Sequence, residues 1–257
     1  MPIDRAAPVA LFLFAHQDDE FGVFHTLQRC RAAGLAVACA YLTRSPDPTL
    51  AQRRNAESLR VLSTFGIDAG DVAFAGDTLQ LDDATLPEHI ASAAAWIEGW
   101  FAQFDNIASI HVTAWEGGHH DHDCLHAISA DIALRAGLLG RLRQYALYNR
   151  LGCRGPWFNV LSPMASNGLV ERSAIPFAQR LRYLRLCLCY PSQRVTWIGL
   201  FPFVLLHYLL RRVQTLQPVA IARTLERPHA GTLYYEYRQF YQWEQLQKRL
   251  ADWRAGA

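Results

Sequence analysis

Two short polar runs hold most of the residues able to do chemistry. The first, His16-Gln17-Asp18-Asp19-Glu20, follows directly on the apolar run 9–15. The second, Glu116-Gly117-Gly118-His119-His120-Asp121-His122-Asp123, comes just after the apolar run 107–113. Five of the ten histidines fall between His111 and His126. Carboxylates set against a buried strand are costly unless they are solvated or matched by cations, and a divalent metal is one such match. His16 and Asp19 lie three apart across a turn, close enough to converge on one ion. A histidine of the second run would complete a set of three, with water in the fourth position, as in catalytic zinc sites. Asp18 is then free to act on that water. Helix capping by the acids is the plainer alternative. It accounts for Asp18 or Glu20 singly, but not for both runs together.

Such chemistry needs a scaffold that brings two distant segments to one edge. The apolar runs 9–15, 36–43, 72–75, 107–113 and 145–149 read as strands. Between them, 21–33, 50–65, 84–104 and 121–136 have helical spacing, three of them stopped by Gly34, Gly66 and Gly137. This alternation predicts an α/β fold with a mostly parallel sheet and helices on both faces. Ligands in open α/β sheets bind at the carboxyl ends of the strands, and both polar runs stand at such ends. Neither GxGxxG after the first strand nor GxxxxGK[ST] occurs, so the two common nucleotide-phosphate cradles are absent. Beyond Leu151 the pattern is less regular, with helix resuming near Ser173 and the run 234–253 reading as a packed helix. The expectation is one domain over 1–257: an α/β core over 1–150 carrying the motifs, and a portion over 151–257 that packs on it and shapes the pocket.

Composition excludes the extremes. A chain of 257 residues that is 51% hydrophobic is not disordered. A net charge of +2 argues against a nucleic-acid partner held by phosphate contacts. Of 25 basic residues only Lys248 is lysine; either coding bias or anion recognition explains this, and placement must decide. The six cysteines form no CxxC pair and read as buried free thiols of a reducing compartment. With no secretory leader evident at the amino end, the expected location is cytoplasmic or at the inner membrane surface. The uncharged run 195–210 is shorter than the roughly 20 residues of a bilayer span. It reads as a core helix, or as a membrane-touching surface with Arg211 and Arg212 at headgroup level.

Ala15-His16-Gln17-Asp18-Asp19-Glu20 resembles the AHPDDE signature of the PIG-L/LmbE-like N-acetylglucosaminyl deacetylases, and the second run resembles that family's EGGHPDHD segment. Weaker similarity lies in Arg54-x-x-Glu57, Tyr190-Pro191-Ser192-Gln193 and Arg227-Pro228-His229-Ala230-Gly231. The resemblance implies a Rossmann-like sandwich and hydrolysis of the N-acetyl group of an amino sugar, dependent on zinc or another divalent metal. By motif position it implies His16, Asp19 and His122 as ligands, Asp18 as general base and His119 as the assistant to the oxyanion or the leaving amine. Arg54 and His229 become candidates for substrate contact. Glu116 joins them on its own position, where it either orients a ligand histidine or closes a turn. Arg54 has an equal alternative, an intrahelical pair with Glu57. Gln17 and His120 replace two prolines of the family pattern, which puts loop rigidity in question and adds His120 as a competing ligand. His126 and His111 read as structural. The implied partner is an N-acetylated sugar, free or lipid-linked. Hydrolysis of another amide, a helical HD-type phosphohydrolase and an inactive sugar-binding module are the competing readings; the strand before the first motif disfavours the HD type.

Overall fold

A computed structural model describes residues 3–4 and 6–256. Nine strands and nine helices order its described residues: β1 (Val9–Phe14), α1 (Phe24–Ala32), β2 (Ala36–Tyr41), α2 (Pro48–Ser63), β3 (Val72–Phe74), α3 (Ala75–Leu79), α4 (Ile90–Phe101), β4 (Ile107–Thr113), α5 (His120–Arg135), β5 (Leu142–Tyr145), β6 (Tyr148–Asn149), β7 (Asn159–Val160), β8 (Glu171–Ala174), α6 (Phe177–Leu186), α7 (Arg194–Leu210), β9 (Val213–Pro218), α8 (Tyr234–Tyr237) and α9 (Trp243–Gly256). Seven strands form one sheet in the order β3-β2-β1-β4-β5-β9-β8. The first five are parallel, and only the pairings of β9 are antiparallel. The predicted α/β class and mostly parallel sheet are therefore present.

The apolar run of β1 has no polar alternation because both of its faces are covered. Val9, Leu11 and Leu13 point into one core with α4, α5 and α9. Ala10, Phe12 and Phe14 point into the other, with α1, α2, α6 and α7. Period-two side-chain direction thus feeds two cores from one strand. His111 lies in β4 with its ring stacked on Phe12 at 4.5 Å, as its strand position implied. All six cysteines are unpaired, four of them buried.

Several element boundaries differ from expectation. The helix expected over 84–104 begins at Ile90, because Ala84 has a positive φ and Pro87 lies in a 3₁₀ turn. The strand expected over 145–149 splits: β5 stays in the sheet and β6 turns away to pair with β7. Near Ser173 the chain is strand β8, and helix starts only after Pro176. The run 234–253 breaks between α8 and α9, where Gln239 takes a positive φ. α7 keeps Gly199 and Pro202 inside it. Among the described residues no helix is long and apolar enough to cross a membrane.

The strand order places β2 on one side of β1 and β4 on the other. That reversal leaves a crevice at the carboxyl ends of β1 and β4, where open α/β sheets bind ligands.

Candidate metal centre

Each strand of that crevice delivers one motif. β1 ends at Phe14 and the chain turns at His16, held by a hydrogen bond from the His16 amide to Asp19 Oδ2 at 2.8 Å. Asp18 sits at φ 105°, a strained value for a residue with a Cβ. Such strain persists only where surrounding contacts enforce it, and it gathers at functional sites. β4 leads into the Gly117–Gly118 turn. Gly117 has φ 70°, and a Cβ there would lie 2.6 Å from Leu233 Cδ2, so only glycine fits. α5 then starts with His119 as N-cap, whose Nδ1 accepts from the Asp121 amide at 3.2 Å.

The two turns meet. His16 Nδ1 lies 3.1 Å from His122 Nε2, Asp19 Oδ1 lies 3.0 Å from that same nitrogen, and His16 Nδ1 lies 3.8 Å from Asp19 Oδ2. A tetrahedron with metal bonds of about 2.0–2.1 Å has edges of about 3.3 Å. With one oxygen taken from Asp19, the three donor atoms lie within 4.8 Å of one another, close enough to converge on one small divalent cation, and two nitrogens with one carboxylate are a donor set that zinc accepts. The charge balance points the same way. Burial opposes protonation of His16, yet its hydrogen bond to Asp121 and the charges of Asp19 and Asp83 raise its pKa to about 10. That is the field of a site rich in negative charge, which draws a cation. Asp18 is buried beside it. Desolvation, then the Asp19 and Glu20 carboxylates, push its pKa well up, while His16 and Arg54 oppose this.

Behind the donors stands a residue that spacing alone did not single out. Asp121 is fully buried and accepts from His16 Nε2 at 2.9 Å, from the Ala84 amide at 2.7 Å and from the Leu86 amide at 3.1 Å. A carboxylate on the far nitrogen of a ligand histidine fixes its tautomer and ring orientation. Asp121 also joins His16 and His119 in a second group able to hold a cation. The signal for it was present, since it is an acid between two histidines of the second motif, but nothing in its spacing set it apart from the other acids of that run. Tyr148 was also missed; its ring packs 5.7 Å from that of His122, edge to face.

The other candidate residues separate. His119 reaches the centre, with its ring 4.6 Å from that of His16 and 5.5 Å from that of His122. His120 turns away: Nε2 bonds the Ala84 carbonyl at 3.0 Å and the ring stacks on Tyr241 at 4.6 Å, so it belongs to neither donor group. Gln17 replaces the stiffness of a proline with anchors, donating to the Thr43 carbonyl at 3.2 Å and to Asn55 Oδ1 at 2.9 Å. Arg54 is bonded to Asp83 at 2.5 Å rather than to Glu57, which pairs with Arg53 and accepts from Ser192. Glu116 has no ligand histidine among its hydrogen-bond partners. It is buried and accepts from the Leu147 amide, the Tyr148 amide and Asn149 Nδ2 at 2.6, 3.0 and 3.0 Å, bracing β6. His229 is buried with Nδ1 beside the Ala230 carbonyl, outside both donor groups. His126 is a core residue, its Nδ1 on the Thr113 carbonyl at 2.8 Å.

Fold and site together define a doubly wound α/β protein with a His-Asp-His donor triad at its switch point. Residues 11–133 match the model of the PIG-L family, described as GlcNAc-PI de-N-acetylase, the family that its two motifs resemble. No curated protein matches the chain. Solved structures share its fold. The zinc-inhibited form of the teicoplanin deacetylase Orf2 superposes with a TM-score of 0.63 at 14% identity, covering 82% of this chain and 98% of that one. The A40926 pseudoaglycone deacetylase Dbv21 gives 0.58 at 18%, covering 89% and 100%. The N,N'-diacetylchitobiose deacetylase of Pyrococcus horikoshii gives 0.59 at 13%, covering 87% and 88%.

Proposed function

We propose that this protein hydrolyses the N-acetyl group of an amino sugar, releasing acetate and a free amine, with His16, Asp19 and His122 holding a zinc or similar divalent ion. The observation that carries the reading is the convergence of those three donors within 4.8 Å of one another, with the buried Asp18 in the turn between His16 and Asp19. The names of the structural neighbours, a teicoplanin deacetylase, an A40926 pseudoaglycone deacetylase and an N,N'-diacetylchitobiose deacetylase, support it. When bound, the ion would supply Lewis acidity, lower the pKa of water toward neutrality and keep the neighbouring carboxylates ionised.

The residues of the chain do the remaining work. The carboxylate of Asp18 accepts the proton of the attacking water and later passes it on. A poor leaving amine must be protonated to depart, and His119 stands across the centre to serve it. As N-cap, His119 accepts at Nδ1, which leaves Nε2 to carry the proton and donate. The Asp18 backbone is held by a bond from its own amide to Glu20 Oε2 at 2.9 Å, fixing the base before substrate arrives. Residues 151–257 complete a single catalytic domain in this reading: Phe240 reaches the His119 ring and Tyr234 the Tyr148 ring.

The test is acetate release from a panel of N-acetylated sugars with and without chelator, run beside Asp18→Ala. Chelator-sensitive release, with Asp18→Ala inactive yet retaining metal, supports the reading. Undiminished turnover by metal-loaded Asp18→Ala refutes the role of the base. No acetate from any sugar, with metal bound, favours a sugar-binding module or another amide.

A further inference from the structure

α7 is apolar on two sides. Its inner side, with Trp197, Leu200, Val204 and Tyr208, lies in the core. Its outer side carries Val195, Ile198 and Leu210, exposed at 80%, 75% and 73%, with Leu206 and Leu209 half exposed. Positions 195, 198, 202, 206 and 209 follow steps of three and four, so they form one stripe along the helix. A surface helix of a water-soluble domain presents polar residues there, and an apolar patch of this kind marks an interaction surface.

The chain on either side of the stripe carries charge of one sign. From Arg172 to Leu225 the chain has eight arginines and no aspartate or glutamate. Among the described residues only one of the eight, Arg223, forms an ion pair, with Glu226. With net charge +2 over the whole chain, this segment is strongly basic and the remainder acidic. Arg194 starts α7, and Arg211 and Arg212 follow its end, so guanidinium groups flank the apolar stripe at both ends.

We propose that the outer face of α7 docks on an anionic lipid bilayer, with the helix lying in the interfacial plane. Seventeen residues make a rod of about 25 Å, enough to seat the stripe among acyl chains while the arginines meet headgroup phosphates. A second copy of this chain is a poor occupant, because it would bring like-charged arginines face to face. The docking face adjoins the metal centre: Gln193, the N-cap of α7, donates its side-chain amide to the Gln17 carbonyl between His16 and Asp18. The proposal stands independently of the deacetylase reading.

The test is sedimentation of the intact protein with vesicles of phosphatidylcholine alone or with about one third phosphatidylglycerol. Binding is expected to the anionic vesicles and to weaken with salt. Ile198→Glu or Leu210→Glu should weaken it about tenfold, and Arg211→Ala and Arg212→Ala about fivefold each. These side chains are exposed, so the melting temperature should stay unchanged; should Ile198→Glu unfold, Leu210→Glu in the last turn carries the test. Failure of the wild type to bind anionic vesicles overturns the proposal. So does equal binding by the variants, or a dimer that Ile198→Glu dissolves.

Discussion

Replacing Asp121 separates positioning from ligation. Its carboxylate touches no metal-facing atom of the triad, yet it holds His16 Nε2 and the Ala84 and Leu86 amides at once. Burial by itself would raise its pKa; the His16 hydrogen bond and the nearby imidazoles hold it well below the usual carboxylate range. Asp121→Ala leaves the buried Leu86 amide and the partly buried Ala84 amide without acceptors; at about 1–3 kcal/mol for the first and less for the second, a loss of about 1–4 kcal/mol is expected in urea unfolding with chelator present. Asp121→Asn keeps the shape and one acceptor oxygen, so it should fold. It loses the charge that fixes the His16 ring, and metal affinity should fall by about 10–100-fold. Competition against a chromogenic chelator measures that constant. Asp121→Asn that binds metal within threefold of wild type, while Asp121→Ala unfolds early, would show that Asp121 supports the loop alone.

Other consequences follow from buried groups away from the triad. Burial, aided by Arg143, depresses the His111 pKa to about 3, and burial depresses that of His126 to about 4. Both are neutral in the fold and protonate near pH 6.5 when unfolded, so their contribution is full above pH 6.5 and is lost as pH falls toward 3–4, by about 1.4 kcal/mol per unit for each. His111→Gln should therefore flatten the stability curve by about that slope between pH 6 and 4, and an unchanged slope would exclude a neutral buried His111. Gly118→Ala would place a Cβ 2.3 Å from the Tyr148 carbonyl oxygen, against backbone that Glu116 already holds. It should lower stability by about 1–3 kcal/mol, read from thermal melts, and lower activity through the Tyr148 ring. Glu116→Gln should destabilise by about 1–3 kcal/mol yet leave KM unchanged, since its carboxylate faces β6; a raised KM would return it to the substrate.

How much was legible beforehand depended on whether a feature is local. β1 and β4 were readable because strands buried on both faces spell continuous apolar runs, and glycine stops marked the ends of α1, α2 and α5. The segment around Ala84 was not readable. Ala84 looks like helix, but the carboxylate of Asp121, 37 positions along, captures its amide and His120 takes its carbonyl. Tertiary bonds there override local propensity. β8 and β9 escaped for the same reason: they gain their place by pairing with each other and with β5, and carry no apolar run of their own.

The site shows the same division between local and distant causes. That His16, Asp19 and His122 come together was legible because each motif ends a strand, and strand ends on one edge converge. Residues that position those donors were harder to see, since their partners lie far off in sequence. Gln17 and His120 illustrate this. Each replaces a stiffening proline, and each is tied to distant backbone, Gln17 to Thr43 and His120 to Ala84. Ala84 is thus bonded from both sides, by His120 through its carbonyl and by Asp121 through its amide. The loop it belongs to also carries Asp83, which holds Arg54. A side chain that would have competed for the metal is in this way spent on fixing the loop, and the same loop fixes the carboxylate behind His16. Loss of the two prolines therefore does not imply a slack site: the rigidity they would have given locally is supplied by hydrogen bonds between segments.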